Sequence, residues 1–130
     1  MSPDRLREYF RTLEQGLSSL QSVHFERYEE EFLTPTRANL RIRMRTLDGY
    51  LFEINEAVIV HESQLEHLNY RYHFQDSDNQ LIFRYDNTPH YPHLEHFPEH
   101  KHTSDGIVGA KRPGIRELLK EIRRYYVPDR

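Results

Sequence analysis

The sequence contains no cysteine, which removes disulfides, thiolate nucleophiles and Cys-based zinc or iron–sulfur sites together. No apolar run approaches the ~20 residues that a membrane-crossing helix requires, and the opening MSPDRLREYF lacks the apolar centre of a secretion signal. The expected setting is the cytoplasm, with no membrane contact. A surplus of positive charge is also missing: 18 Lys and Arg stand against 21 Asp and Glu, for a net charge of −3. No global basic field therefore announces a nucleic-acid binder, although a local basic face masked by acids elsewhere is compatible with the same total. Apolar content is lean at 36%, and 9 Tyr and 7 Phe supply bulk that aliphatic residues do not. At 130 residues, one domain spanning 1–130 is expected.

Histidine is what the chain does have. Five of the nine (His90, His93, His96, His100, His102) fall within 13 residues, with Pro89, Pro92 and Pro98 among them. Three prolines exclude one regular helix or one central strand there. Imidazole titrates near neutral pH, binds metals and transfers protons, so this stretch and the strands before it are where chemistry is expected.

The order of elements follows from periodicity. Ser2-Pro3-Asp4 reads as an N-cap, a first-turn proline and a first-turn acid. Leu6, Tyr9, Phe10, Leu13, Leu17 and Leu20 then recur at helical spacing, giving a helix over 3–15 that ends near Gly16. A strand over 23–33 follows, its irregular ERYEEEF marking an exposed edge or a bulge. Leu40, Ile42 and Met44 alternate with Arg41, Arg43 and Arg45, and Asp48-Gly49 signals a hairpin into a strand over 50–60. Residues 67–75 are expected to place Leu68, Tyr70, Tyr72 and Phe74 on one face and His67, Asn69, Arg71 and His73 on the other. In 81–86, Leu81, Phe83 and Tyr85 oppose Ile82, Arg84 and Asp86. Pro113-Gly114 opens a closing helix striped by Ile115, Leu118, Leu119 and Ile122. The expectation is an α+β fold: a mostly meander antiparallel sheet of five strands, with both terminal helices packed on one face. The other face would collect Arg41, Arg43, Arg45, Arg71, His73, Arg84 and Asp86.

Three chemistries fit these residues. His90, His93 and His96 have loop spacing suited to zinc, with Asp86 or Glu99 as a carboxylate ligand. His and Arg can equally supply the base, the acid and the cations that metal-free RNA cleavage requires. His100 and His102, two apart on an extended segment, would share one face with Lys101 on the other. Tyr91, in the loop, is the exposed candidate for stacking on a base. In the third reading the histidines pack a long loop behind an Asp86-Asn87-Thr88-Pro89 turn whose side chains bond backbone.

The segments YRYHFQD, LIFRYDNTPHYPHL and FPEHKH resemble the TumE family of toxins from bacterial type II toxin–antitoxin pairs. The likeness runs from Arg37 through the closing helix, carried by Tyr70-Arg71-Tyr72, Phe83-Arg84-Tyr85-Asp86-Asn87, Pro89-His90 and Phe97-Pro98-Glu99-His100-Lys101-His102. Tyr91 departs from the pattern, standing where a second histidine is frequent. The resemblance implies a helix-turn-helix antitoxin as partner, and the layout is similar to RelE-like and barnase-like ribonucleases by analogy of fold. The expected function is a metal-independent ribonuclease toxin with no cofactor. His73, His100 and His102 would be acid/base residues, with Asp86 orienting an imidazole. Arg71, Arg84, Lys101 and Arg43 would hold phosphate, and Tyr91 would stack on a base. The competing reading is a non-catalytic or zinc-binding module whose His-rich loop docks a ligand or partner. The exposed edge at 23–33 makes a homodimer an open expectation.

Overall fold

The computed structural model describes residues 4–126, so the expected cap at Ser2 and Pro3 lies outside the described residues. The chain runs α1 (Asp4–Ser18), β1 (Val23–Thr34), β2 (Arg37–Thr46), β3 (Leu51–His61), β4 (Gln64–Gln75), β5 (Leu81–Asp86), β6 (His100–Thr103), β7 (Gly106–Gly109) and α2 (Ile115–Ile122). All seven strands form one sheet in chain order, each antiparallel to the one before. This is the α+β meander that the periodicity predicts, with two more strands than expected. The extra pair, β6 and β7, has only four residues per strand, and His-Lys-His-Thr offers no apolar alternation to read. The available signal was Asp105-Gly106, with Gly106 at a φ of 129° that favours glycine.

Both helices lie on one sheet face. Leu6, Phe10, Leu13 and Leu17 of α1 and Leu118, Leu119 and Ile122 of α2 join Leu40, Ile42, Met44, Phe52, Ile54, Val58, Tyr72, Phe74 and Phe83 in one buried cluster. Each such side chain contributes roughly 1.5–3 kcal/mol when fully buried. Gly16 does not end α1, which continues to Ser18. A Cβ at Gly16 would stand 3.1 Å from Ile115 Cγ1, so the missing side chain serves the close approach of α2. Gly114 opens α2, its N–H donating to Glu117 Oε1 at 3.0 Å.

β1 is an edge strand with register shifts after Phe25 and Phe32, as its irregular sequence indicates. A further shift lies between Ala57 and Val58 opposite β4, and it overturns one expectation. His67 turns to the core face, where its ring meets Tyr9, while Leu68 is exposed. Beyond the bulge, from Asn69 onward, the expected alternation holds. The β3–β4 turn uses Glu62 and Ser63 at φ 50° and 66°, residue types that give no turn signal, which is why β4 starts earlier than the sequence suggests.

Candidate functional site: a sheet face of Arg, His and Asp

Because antiparallel partners share a face, the pairing register sorts the polar residues into two rows across the sheet. One row runs Arg41, Asn55, Arg71, Asp86, His100 and the other runs Arg43, Glu53, His73, Arg84, His102. Residues from 41 to 102 thus become neighbours on the face opposite the helices. Sequence periodicity supplies each strand's face. Only register and the unforeseen β6 bring the rows together.

At one end of these rows sit Asp86, His100 and His102. Asp86 is 7% exposed and His100 only 2%. His100 Nε2 lies 3.0 Å from Asp86 Oδ1, and His102 Nε2 lies 3.7 Å from Oδ2. The imidazole centroids are 4.9 Å apart. His100 Nδ1 donates to the Pro98 carbonyl at 2.9 Å, so a neutral ring carries its proton there and presents a lone pair at Nε2. That Nε2 is buried and makes no hydrogen bond. Although it is close to Asp86 Oδ1, the approach is out of line. Asp86 Oδ1 is anchored by the Thr88 N–H at 3.0 Å. Asn87 Oδ1 accepts from the Tyr70 N–H at 3.2 Å, so the expected Asx turn is present and Asp86 serves both turn and site.

The loop over 87–99 is a string of turns that folds back over this face. Tyr91 packs edge-on to His100 and His102, with centroids 5.0 and 6.1 Å away. Behind it, Glu95 backbone rests on Gly109: a Cβ there would lie 1.9 Å from the Glu95 carbonyl oxygen. Only glycine admits this loop.

His73 and Arg84 form a coupled pair beside the trio. Arg84 Nε donates to His73 Nδ1 at 3.3 Å, and His73 Nε2 meets Gln75 Oε1 at 2.8 Å. Burial, with Arg84 and Arg71 nearby, pushes the His73 imidazole below its ordinary value. Both of its nitrogens are engaged, which suits positioning of Arg84 better than proton transfer. Burial, together with His100, Arg84 and His90, also lowers His102, against the opposing pull of Asp86. Arg71 is exposed and has no ion-pair partner among the described residues.

Two expected phosphate ligands are held by carboxylates. Lys101 points to the helix face, paired with Glu121 and lying 4.9 Å from the Tyr85 ring centroid. Alternation within β6 dictates this once His100 and His102 face the site. Arg43 is on the correct face but is held by Glu26 at 2.8 Å and Glu53 at 3.0 Å. The candidate metal ligands also move. His90, His93 and His96 are exposed on the loop, whereas the ligand atoms of Asp86, His100 and His102 lie within 4.8 Å of one another. Glu99 is engaged by the Tyr70 hydroxyl and the Arg112 backbone N–H.

Beneath the helices lies a second polar cluster that sequence reading missed. Glu56 is 4% exposed and accepts from Tyr9 at 2.8 Å and from Tyr72, with His67 Nε2 at 3.1 Å. Arg112 donates to the Tyr72 hydroxyl at 3.2 Å. Burial favours the protonated Glu56 carboxyl, but His67, Tyr72 and Tyr9 outweigh it and hold the group below its ordinary value. The cluster floors a cavity of ≈ 90 Å³ between α1, β3 and α2, walled by Leu13, Ile115 and Leu118. The missed signal is an acid in the inward phase of β3, between Ile54 and Val58.

An antiparallel α+β meander with both helices on one face and an Arg/His/Asp array on the other defines the class of protein. A family model described as toxin TumE matches residues 10–128, and the chain belongs to that family. It is thus the toxin component of a toxin–antitoxin pair, with an antitoxin as partner. No curated protein and no solved structure matches the chain, so the expected likeness to RelE-like and barnase-like enzymes is shown only as far as the α+β class. No helix among the described residues is long and apolar enough to cross a membrane.

Proposed function

We propose that this toxin cleaves RNA in the cytoplasm, with the phosphodiester lying across the two polar rows. The carrying observation is the juxtaposition of Arg71 and Arg84, neither paired with a carboxylate among the described residues, with the Asp86–His100–His102 trio on one open face. Guanidiniums hold phosphate oxygens bidentately and stabilise charge that grows in the transition state. His102, the more exposed imidazole of the trio, takes the 2′-hydroxyl proton, and His90, exposed on the adjoining loop, returns one to the leaving oxygen. His100 and Asp86, both buried, fix the site around His102, and His73 orients Arg84. Tyr91 closes one side and offers its outer face to a base. The antitoxin is of the helix-turn-helix class, and the open β1 edge is where a second copy would pair.

The test is induced expression of wild type beside His102→Ala and Arg84→Ala, scoring growth and mapping RNA 5′ ends. Growth arrest with new RNA ends that vanish in both variants is the expected result. Arrest without new ends would remove the ribonuclease reading while leaving a toxin.

A further inference from the structure

We propose that Asp86, His100 and His102 form a binding site for a divalent transition-metal ion of the zinc class. The geometry makes the first argument. Zinc binds imidazole nitrogen and carboxylate oxygen at about 2.0–2.2 Å in tetrahedral sites, which separates neighbouring ligand atoms by about 3.3 Å. His100 Nε2 lies 3.0 Å from Asp86 Oδ1 and His102 Nε2 lies 3.7 Å from Asp86 Oδ2, so each imidazole faces its own carboxylate oxygen. One ligand atom from each of the three residues lies within 4.8 Å of the others, a set that a bound ion would draw together.

The second argument is the state of His100. Its Nδ1 proton goes to the Pro98 carbonyl, the arrangement that metal-ligating histidines use to fix tautomer and ring orientation. Its Nε2 is buried without a hydrogen bond. A buried imidazole nitrogen that stands 3.0 Å from a carboxylate oxygen and makes no hydrogen bond is uncompensated, and a cation between the two groups satisfies both. The donor set, two imidazoles and a carboxylate without thiolate, suits zinc, nickel, cobalt or iron(II). Three protein donors are the number found in zinc sites whose fourth ligand is a water or a bound molecule. Binding and proton transfer at His102 use the same Nε2 lone pair. A bound ion is therefore a brake on cleavage, a consequence that rests on the ribonuclease reading; the binding itself does not.

The test uses the full chain, stripped with chelator and dialysed. Zinc(II) is titrated calorimetrically and cobalt(II) by its visible absorption, without RNA. Wild type should take up one ion per chain with a tetrahedral or five-coordinate cobalt spectrum. Asp86→Asn and His102→Gln should weaken binding by more than about 100-fold, the upper end of what loss of a mere outer-shell partner costs. His93→Ala/His96→Ala should bind as wild type. Thermal melting of each variant checks that it folds. The inference is overturned if folded wild type takes up no zinc, or if binding follows His93 and His96 instead. Cleavage is then assayed separately on a defined RNA. Cleavage with no zinc uptake sinks the metal site alone, and zinc uptake with no cleavage by the stripped protein sinks the ribonuclease reading alone. Faster cleavage by zinc-loaded than by stripped protein removes the brake.

Discussion

Two acid–imidazole clusters occupy opposite faces of the same sheet, and they differ in completion. Under the helices, both Glu56 oxygens are used, by Tyr9 on one side and by Tyr72 and His67 on the other. On the open face, the Asp86 trio leaves the His100 Nε2 buried and unanswered. A saturated network strengthens every bond in it and rigidifies the core. An unsaturated one costs stability and persists where it has something to bind or transfer. Carboxylate and imidazole are common to both. What separates structure from chemistry is whether the last lone pair has a partner.

The contrast can be broken at either end. Glu56→Ala should have the largest effect on stability, a loss of about 3 kcal/mol, because it removes the acceptor of two tyrosine hydroxyls and the charge facing His67 and Arg112 in a buried site. Urea denaturation measures it. The same residue sets a pH dependence. Its folded carboxyl is held below the ordinary value, so its contribution is complete above that ordinary value. It is lost as pH falls through the lower, folded one. Acid titration should therefore destabilise wild type steeply and Glu56→Gln more gently; equal slopes would refute a charged Glu56.

Neighbouring residues of β6 sharpen the comparison. Lys101→Ala should cost about 1 kcal/mol through loss of Glu121 and leave toxicity intact. His102→Ala, one residue on, should change stability by less than about 1 kcal/mol and abolish toxicity. Arg71→Ala should have the smallest effect on stability, within about 0.5 kcal/mol at an exposed site. It should weaken RNA binding across sequences and flatten the salt dependence by about one unit of slope. An unchanged salt slope would take Arg71 off the phosphate.

How far the sequence can be read is itself informative. β2 is legible because its residues alternate strictly, and so is the assignment of Arg71, His73, Arg84 and Asp86 to one side. At the start of β5 the expected alternation fails, since a register shift opposite Phe74 and Gln75 pairs Leu81 with Gln75 and packs Ile82 against the core instead. The bulge at Ala57/Val58 is not legible, since an inserted residue leaves composition unchanged while exchanging His67 and Leu68 between faces. Neither is the burial of His100, which depends on a four-residue strand and on a loop seated against Gly109. Local periodicity reports which way a side chain points. It does not report what the register brings alongside.

The strict chain order of the sheet has a consequence for the cell that makes the protein. Each strand pairs only with its sequence neighbours, so no strand pairing has to wait for a segment beyond the next strand to leave the ribosome. Arg71 and Arg84 lie on β4 and β5, but His100 and His102 come later, on β6. A nascent chain ending before β6 has Arg71, Arg84 and Asp86 without the two imidazoles that pair beside them. The Asp86–His100–His102 trio is therefore assembled only when β6 pairs with β5, and the strand that completes it is one of the two shortest in the sheet.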